Sequence, residues 1–162
     1  MDIYCDNMKF GSNVIFSNNL KFGNNVTFGD NITFGNNVIF GDHATFGEYA
    51  TFGNNVTFSD NATFGNNMTF GDHVTISDHA TFGRRVIFGD HAIFRDHITF
   101  GEYATFGKNA TFDENVTFGD HSIFNDSTSF ADYASFGDYE TYNGRMSFEH
   151  ILRYGRYEIN NE

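Results

Sequence analysis

The sequence predicts an all-β fold of the solenoid type, a chain coiled into a rod around one continuous apolar column. Two observations carry this reading. An aromatic residue returns at every sixth position, from Tyr4, Phe10, Phe16 and Phe22 to Phe136, Tyr142, Phe148 and Tyr154, and Ile76 is the one aliphatic substitute. Between the aromatics the chain repeats Gly, then Asp or Asn, then Asn or His, then Val or Ala, then Thr or Ile, as in Phe40-Gly41-Asp42-His43-Ala44-Thr45. A repeat this short can bury its apolar side only against its neighbours, so it stacks into coils.

Each position of the hexad has a role. The fifth is small and apolar (Val14, Val26, Ala44, Val56, Ala80), and the sixth is β-branched (Thr27, Ile39, Thr45, Thr57), which favours a strand. Side chains alternate along a strand, so the fifth and first positions point inward and the sixth points outward. Gly at the second position and Asp or Asn at the third supply the bend, giving one short strand and one corner per hexad. Gly23, Gly29, Gly35, Gly41 and Gly47 therefore read as corner residues needing a permissive backbone. A phosphate-cradling loop would need a strand-then-helix context that this pattern lacks.

Composition narrows the classes. The chain has 162 residues with 22 Phe and neither Pro nor Trp, so its interior must be built from aromatic rings with Val, Ala and Ile. A mean hydropathy of -0.40 fits a thin core inside a polar shell. The lone Cys5 excludes an intrachain disulfide and a Cys-rich zinc module. No stretch reaches the length of a membrane span and none has the pattern of a secretion signal, so the expectation is a cytoplasmic protein without membrane contact. A formal net charge of -12 argues against direct binding of nucleic acid.

The hexad resembles the hexapeptide repeat of left-handed parallel β-helix proteins, in which an aliphatic residue is followed by Gly and, four residues on, by a small residue. The resemblance covers about residues 4 to 154, with Phe standing where that family usually has Ile, Val or Leu. It implies a parallel β-helix with three hexapeptide strands per 18-residue coil, left-handed, over residues 1–142. Residues 143–162 are expected to form an irregular last coil and a cap or dimerisation tail.

That winding would make residues 18 apart vertical neighbours and turn each surface position into a ladder. The third hexad position then lines up Asp42, Asp60, Asp78, Asp96, Glu114 and Asp132 on one edge. A secondary acidic edge carries Asp30, Glu48, Glu102, Asp120 and Asp138, and the last edge mixes Asp72, Asp90 and Asp126 with Lys108. Stacked carboxylates repel one another, and Asn24, Asn36, Asn54 and Asn66 show that a neutral residue also serves at this corner. The expected function is that of a non-enzymatic acidic rod, an interaction or inhibitor protein that mimics DNA and occupies the nucleic-acid site of a basic, DNA-binding protein. Pentapeptide-repeat proteins that resemble DNA and act on topoisomerases are the analogy.

Other readings stand beside this one. Acidity could serve only solubility in a structural, spike-like β-helix. Hexapeptide-repeat acyltransferases are similar in scaffold, but they interrupt their coils with a loop that builds a cleft, and this register does not slip from Phe10 to Phe148. Ice binding would use the rank Thr27, Thr45, Thr63, Thr81, Thr99 and Thr117, although the neighbouring fourth position carries Asn and His instead of more Thr. The pairs His73 with His91 and His79 with His97 are vertical neighbours, each preceded by Asp, yet His alternates with Asn in the same slot; no metal or other cofactor is expected. The tail gathers Ile151, Leu152, Tyr154, Tyr157 and Ile159 with Arg153 and Arg156, a composition suited to capping its own coil or forming a homodimer.

Overall fold

The computed structural model describes residues 2–148, 151–153 and 157–160. Among the described residues twenty-five short strands, most of them two residues long, recur at six-residue spacing, with single-residue bridges at Thr99 and Thr117 in place of strands, and no helix occurs. They form a parallel β-solenoid of about eight turns with three strands per coil. Every pairing from Asp2 to Phe148 is parallel and offset by 18 residues, as in Phe22 with Phe40 and Phe40 with Phe58. The first and third sheets each contain nine strands. The second runs from Lys9–Phe10 to Thr81–Phe82 and continues through bridges joining Thr81, Thr99, Thr117 and Ser135.

Three Phe side chains per coil fit because two ring geometries alternate. Along the rod, rings 18 residues apart stack nearly parallel: Phe22 on Phe40 at 5.0 Å and 5°, Phe40 on Phe58 at 4.8 Å and 5°. Within a coil they meet edge to face, as for Phe34 and Phe40 at 4.9 Å and 87°. A strand spacing of roughly 4.8 Å leaves room for the thickness of one ring, and edge-to-face contact satisfies the ring quadrupole. Small residues at the fifth position, such as Ala44, Val56 and Ala62, are fully buried and fill the corners between rings. Where Ile76 replaces a ring, the two flanking columns close up, with Phe64–Phe82 and Phe70–Phe88 each at 4.4 Å.

The corners differ from the sequence reading in one respect. The left-handed backbone lies at the fourth hexad position, not at Gly: Asn31, Asn55, His43, Tyr49 and Arg85 have φ between 56° and 60°. Asn tolerates this region best among non-Gly residues, which explains its frequency there. Gly is favoured at the second position by close approach instead. A Cβ on Gly41 would lie 2.2 Å from Asn24 Oδ1 and 2.7 Å from the Gly23 carbonyl carbon of the coil below. Asn55→Val is therefore expected to destabilise the rod by about 1–2 kcal/mol, whereas Asn55→Gly should stay within about 0.5 kcal/mol, both read from urea denaturation.

The last coil changes register. Ile151–Arg153 pairs with Ala134–Phe136, and Tyr157–Asn160 pairs with Glu140–Asn143, both offset by 17 residues. Arg153 thus registers with Phe136, where the six-residue count had placed Tyr154. One residue fewer in the final turn shifts the pattern, so the aromatic period ends at Phe148.

Candidate functional site

The 18-residue winding brings the predicted acidic residues together. Asp42, Asp60, Asp78, Asp96, Glu114 and Asp132 occupy the same corner position in six successive coils, at rungs separated by roughly 4.8 Å. All are exposed or half-buried.

Backbone bonding explains why the third hexad position carries an oxygen. The corner Gly N–H donates to the aromatic carbonyl one coil below, as Gly41 does to Phe22 at 3.1 Å. The fourth residue's N–H donates upward, as Asn25 does to the Asp42 carbonyl at 2.8 Å. The third residue's own N–H donates to the side-chain oxygen of the residue 18 positions earlier. Asp42 N–H reaches Asn24 Oδ1 at 2.8 Å, Asp90 reaches Asp72 at 2.9 Å, and Asp30 reaches Ser12 Oγ at 3.0 Å. Asn, Asp and Ser all perform this task, so the bond takes an acceptor and not a charge, and Arg84 and Lys108 hold the same position without an acceptor oxygen in the side chain.

Above Asp60 on the principal acidic edge three of these bonds are longer. Asp78 N–H to Asp60 Oδ1 and Asp96 N–H to Asp78 Oδ1 are 3.2 Å, and Glu114 N–H to Asp96 Oδ1 is 3.0 Å. Where Gly precedes the donor and Asp or Asn accepts, the distance is 2.7 to 2.9 Å, as for the N–H groups of Asn36, Glu48 and Asp72. Ser77, Arg95 and Asp113 replace Gly before the three long bonds, and at the Gly corners an added Cβ would crowd the acceptor oxygen, as on Gly89, where it would lie 2.2 Å from Asp72 Oδ1. The same edge contains one internal cation, Arg95, paired with Asp113 at 3.1 Å.

The other edges are mixed. Asp30, Glu48, Glu102, Asp120 and Asp138 share the second edge with Asn66 and Arg84; Asn66 Nδ2 donates to Glu48 Oε1 at 2.9 Å and Arg84 pairs with Glu102 at 3.4 Å. Beside them Arg85 lies over the Tyr103 ring, and Tyr103, His121 and Tyr139 form an exposed stack with centroids 4.9 and 5.2 Å apart. On the third edge Asp126 Oδ1 accepts the Arg145 N–H at 2.8 Å, and that bond lowers its pKa. His73 and His91 stack at 4.8 Å, and His79 and His97 at 4.9 Å. Among the described residues no three His, Cys, Asp or Glu side chains form a group that could hold a metal ion.

The remaining predicted positions are placed as follows. Thr27, Thr45, Thr63, Thr81, Thr99 and Thr117 stand in register on the second sheet, between a rank of Asn and His on one side and glycines on the other, not beside another hydroxyl rank. Ile151 and Leu152 lie on the strand beside Ala134–Phe136, Tyr157 and Ile159 on the strand beside Glu140–Asn143, and Tyr154 falls outside the described residues. No helix among the described residues is long and apolar enough to cross a membrane.

One residue the sequence reading passed over is Glu140, the single charged residue at the inward fifth position between Met8 and Met146. It is 1% exposed, and its Oε1 has no hydrogen-bond partner. Inspection of the fifth position alone, where Val, Ala, Ile and Met dominate, would have flagged it.

Comparison with known proteins adds no assignment to this geometry: neither a protein-family model nor a curated protein sequence matches the chain.

Proposed function

We propose that the chain is a non-catalytic interaction protein whose acidic edge binds a basic partner in place of nucleic acid. The observation that carries this reading is the unbroken run of carboxylates from Asp42 to Asp132. An uncharged oxygen acceptor serves this corner as well: Asn24 supplies it directly below Asp42, and Asn18, Asn36, Asn54 and Asn66 supply it on the other edges. Adjacent carboxylates about 4.8 Å apart repel by nearly 1 kcal/mol even in water, a cost that neutral residues would avoid. A function of the charge itself accounts for its retention on one edge.

The spacing suits a protein that reads phosphates by charge. One carboxylate per roughly 4.8 Å along the edge compares with one phosphate per about 3.4 Å along a single DNA strand. Over a rod of about 40 Å a duplex carries about 23 phosphates, against a net charge of -12 here. The rod therefore offers a basic groove about half the charge density of a duplex. We read the scaffold as a Phe-rich form of the left-handed hexapeptide-repeat β-helix, a reading supported by the matching hexad and winding.

The test is capture from cell lysate on immobilised rod, with and without competing duplex DNA. Release of a captured DNA-binding protein when DNA is added supports the proposal. Capture that DNA does not disturb, or no capture, overturns it.

A further inference from the structure

Glu140 occupies a place that every other hexad between Met8 and Met146 fills with a side chain without charge. Directly below it in the same column stand Ala104 and Ser122, both fully buried. The Ser122 hydroxyl is already committed, donating to the Gly119 carbonyl at 2.9 Å, so it offers Glu140 no proton. Directly above is the final turn, whose Tyr157 registers with Glu140 and whose Glu158 registers with Thr141. The carboxyl is buried, and the strand paired directly above it belongs to the one coil that breaks the 18-residue offset.

We infer that Glu140 is a proton-controlled latch: its neutral carboxyl lets the tail strands Ile151–Arg153 and Tyr157–Asn160 close over the rod, and its ionisation releases them. The backbone N–H of Glu140 itself bonds the carboxyl and favours its charge, but a buried carboxylate with one oxygen unpartnered is still costly, and neutralisation or exposure to water are the two ways to relieve it. Opening the final coil supplies the second. Burial pushes the carboxyl up to about 7, and the nearby Asp120 and Asp138 push in the same direction. The ionisable residues of the strands stacked above are Arg153, in register with Phe136, together with Tyr157 and Glu158.

The sign follows from proton affinity. The closed coil holds its proton until about pH 7, whereas the open coil gives it up near the ordinary value of 4.5. Opening therefore releases a proton between these limits, and raising the pH favours it by up to tenfold per unit before levelling off above about 7. The latch is shut in acid and loosened in mild alkali.

Hydrogen exchange of the backbone amides, corrected for the intrinsic pH dependence of exchange, tests this. Between pH 5.5 and 8.5 protection of the tail strands should fall on the order of 30-fold, while amides of the central coils such as Thr63 and Thr81 should not respond. Glu140→Gln keeps the shape without the titration, and Glu140→Val restores the repeat; both should abolish the pH response. A native tail whose protection is independent of pH, or an equal response in Glu140→Gln, overturns the latch.

Discussion

Phe40→Ala is expected to cost about 3–5 kcal/mol, the range for deleting a buried aromatic side chain. Phe40 is fully buried and touches six other rings. Two are stacked above and below and four meet it edge to face, so truncation removes both hydrophobic burial and ring pairing. Relaxation is restricted, because the neighbouring rings are fixed by strands paired on both sides. A solenoid couples only nearest neighbours, so the lesion should also divide the rod. Strands below Phe40 should unfold at lower urea concentration than those between Thr63 and Phe112, as seen by hydrogen exchange across the titration. Phe40→Leu is expected to cost about 1.5 kcal/mol, since Ile76 shows that the column accepts an aliphatic side chain by drawing its neighbours closer. Equal losses for Ala and Leu would contradict a packed ring column.

The second large effect concerns binding. Combining Asp60→Asn, Asp78→Asn, Asp96→Asn and Glu114→Gln removes four of the chain's negative charges and preserves a side-chain oxygen at each rung. The amide oxygens of Asn can still accept the N–H groups of residues 78, 96 and 114, so the corner ladder survives. Repulsion along the edge falls, and the thermal midpoint should hold or rise. Affinity for the basic partner should drop by on the order of 1 kcal/mol per carboxylate, about a thousandfold in all, with a shallower salt dependence. Binding that survives the substitution would show that the edge does not recognise the partner.

Different parts of this architecture were legible to different degrees. The aromatic period and the alternation around Thr45 and Phe46 contain the strand and its inward face, because one side chain per hexad is large and apolar. The coil of three hexads came with the repeat resemblance, and the pairings carry it. The corner was only half legible. Gly and Asn both suit a left-handed backbone, and the sequence does not say which of Gly41 and His43 bends; the close approach that favours Gly arises between coils. The oxygen ladder was hidden for the same reason, since Asp and Asn are also ordinary turn residues. Glu140 was visible as an exception to the pattern, but its isolation depends on Ser122 spending its proton on Gly119.

Three corners per turn also give the rod a rotational phase. Excising residues 65–70, a hexad without charge, would join Phe64 to Gly71 and keep the aromatic spacing intact. Asp42 and Asp60 would stay where they are, while Asp78, Asp96, Glu114 and Asp132 would swing round to the adjacent corner. Excising residues 65–82 removes a whole revolution and leaves the stripe straight, one rung shorter. Their places would pass to Arg84, Glu102, Asp120 and Asp138, so a cation would break the run; partner capture should weaken with the shorter excision, which retains every carboxylate, and hold with the longer one, which sacrifices Asp72 and Asp78.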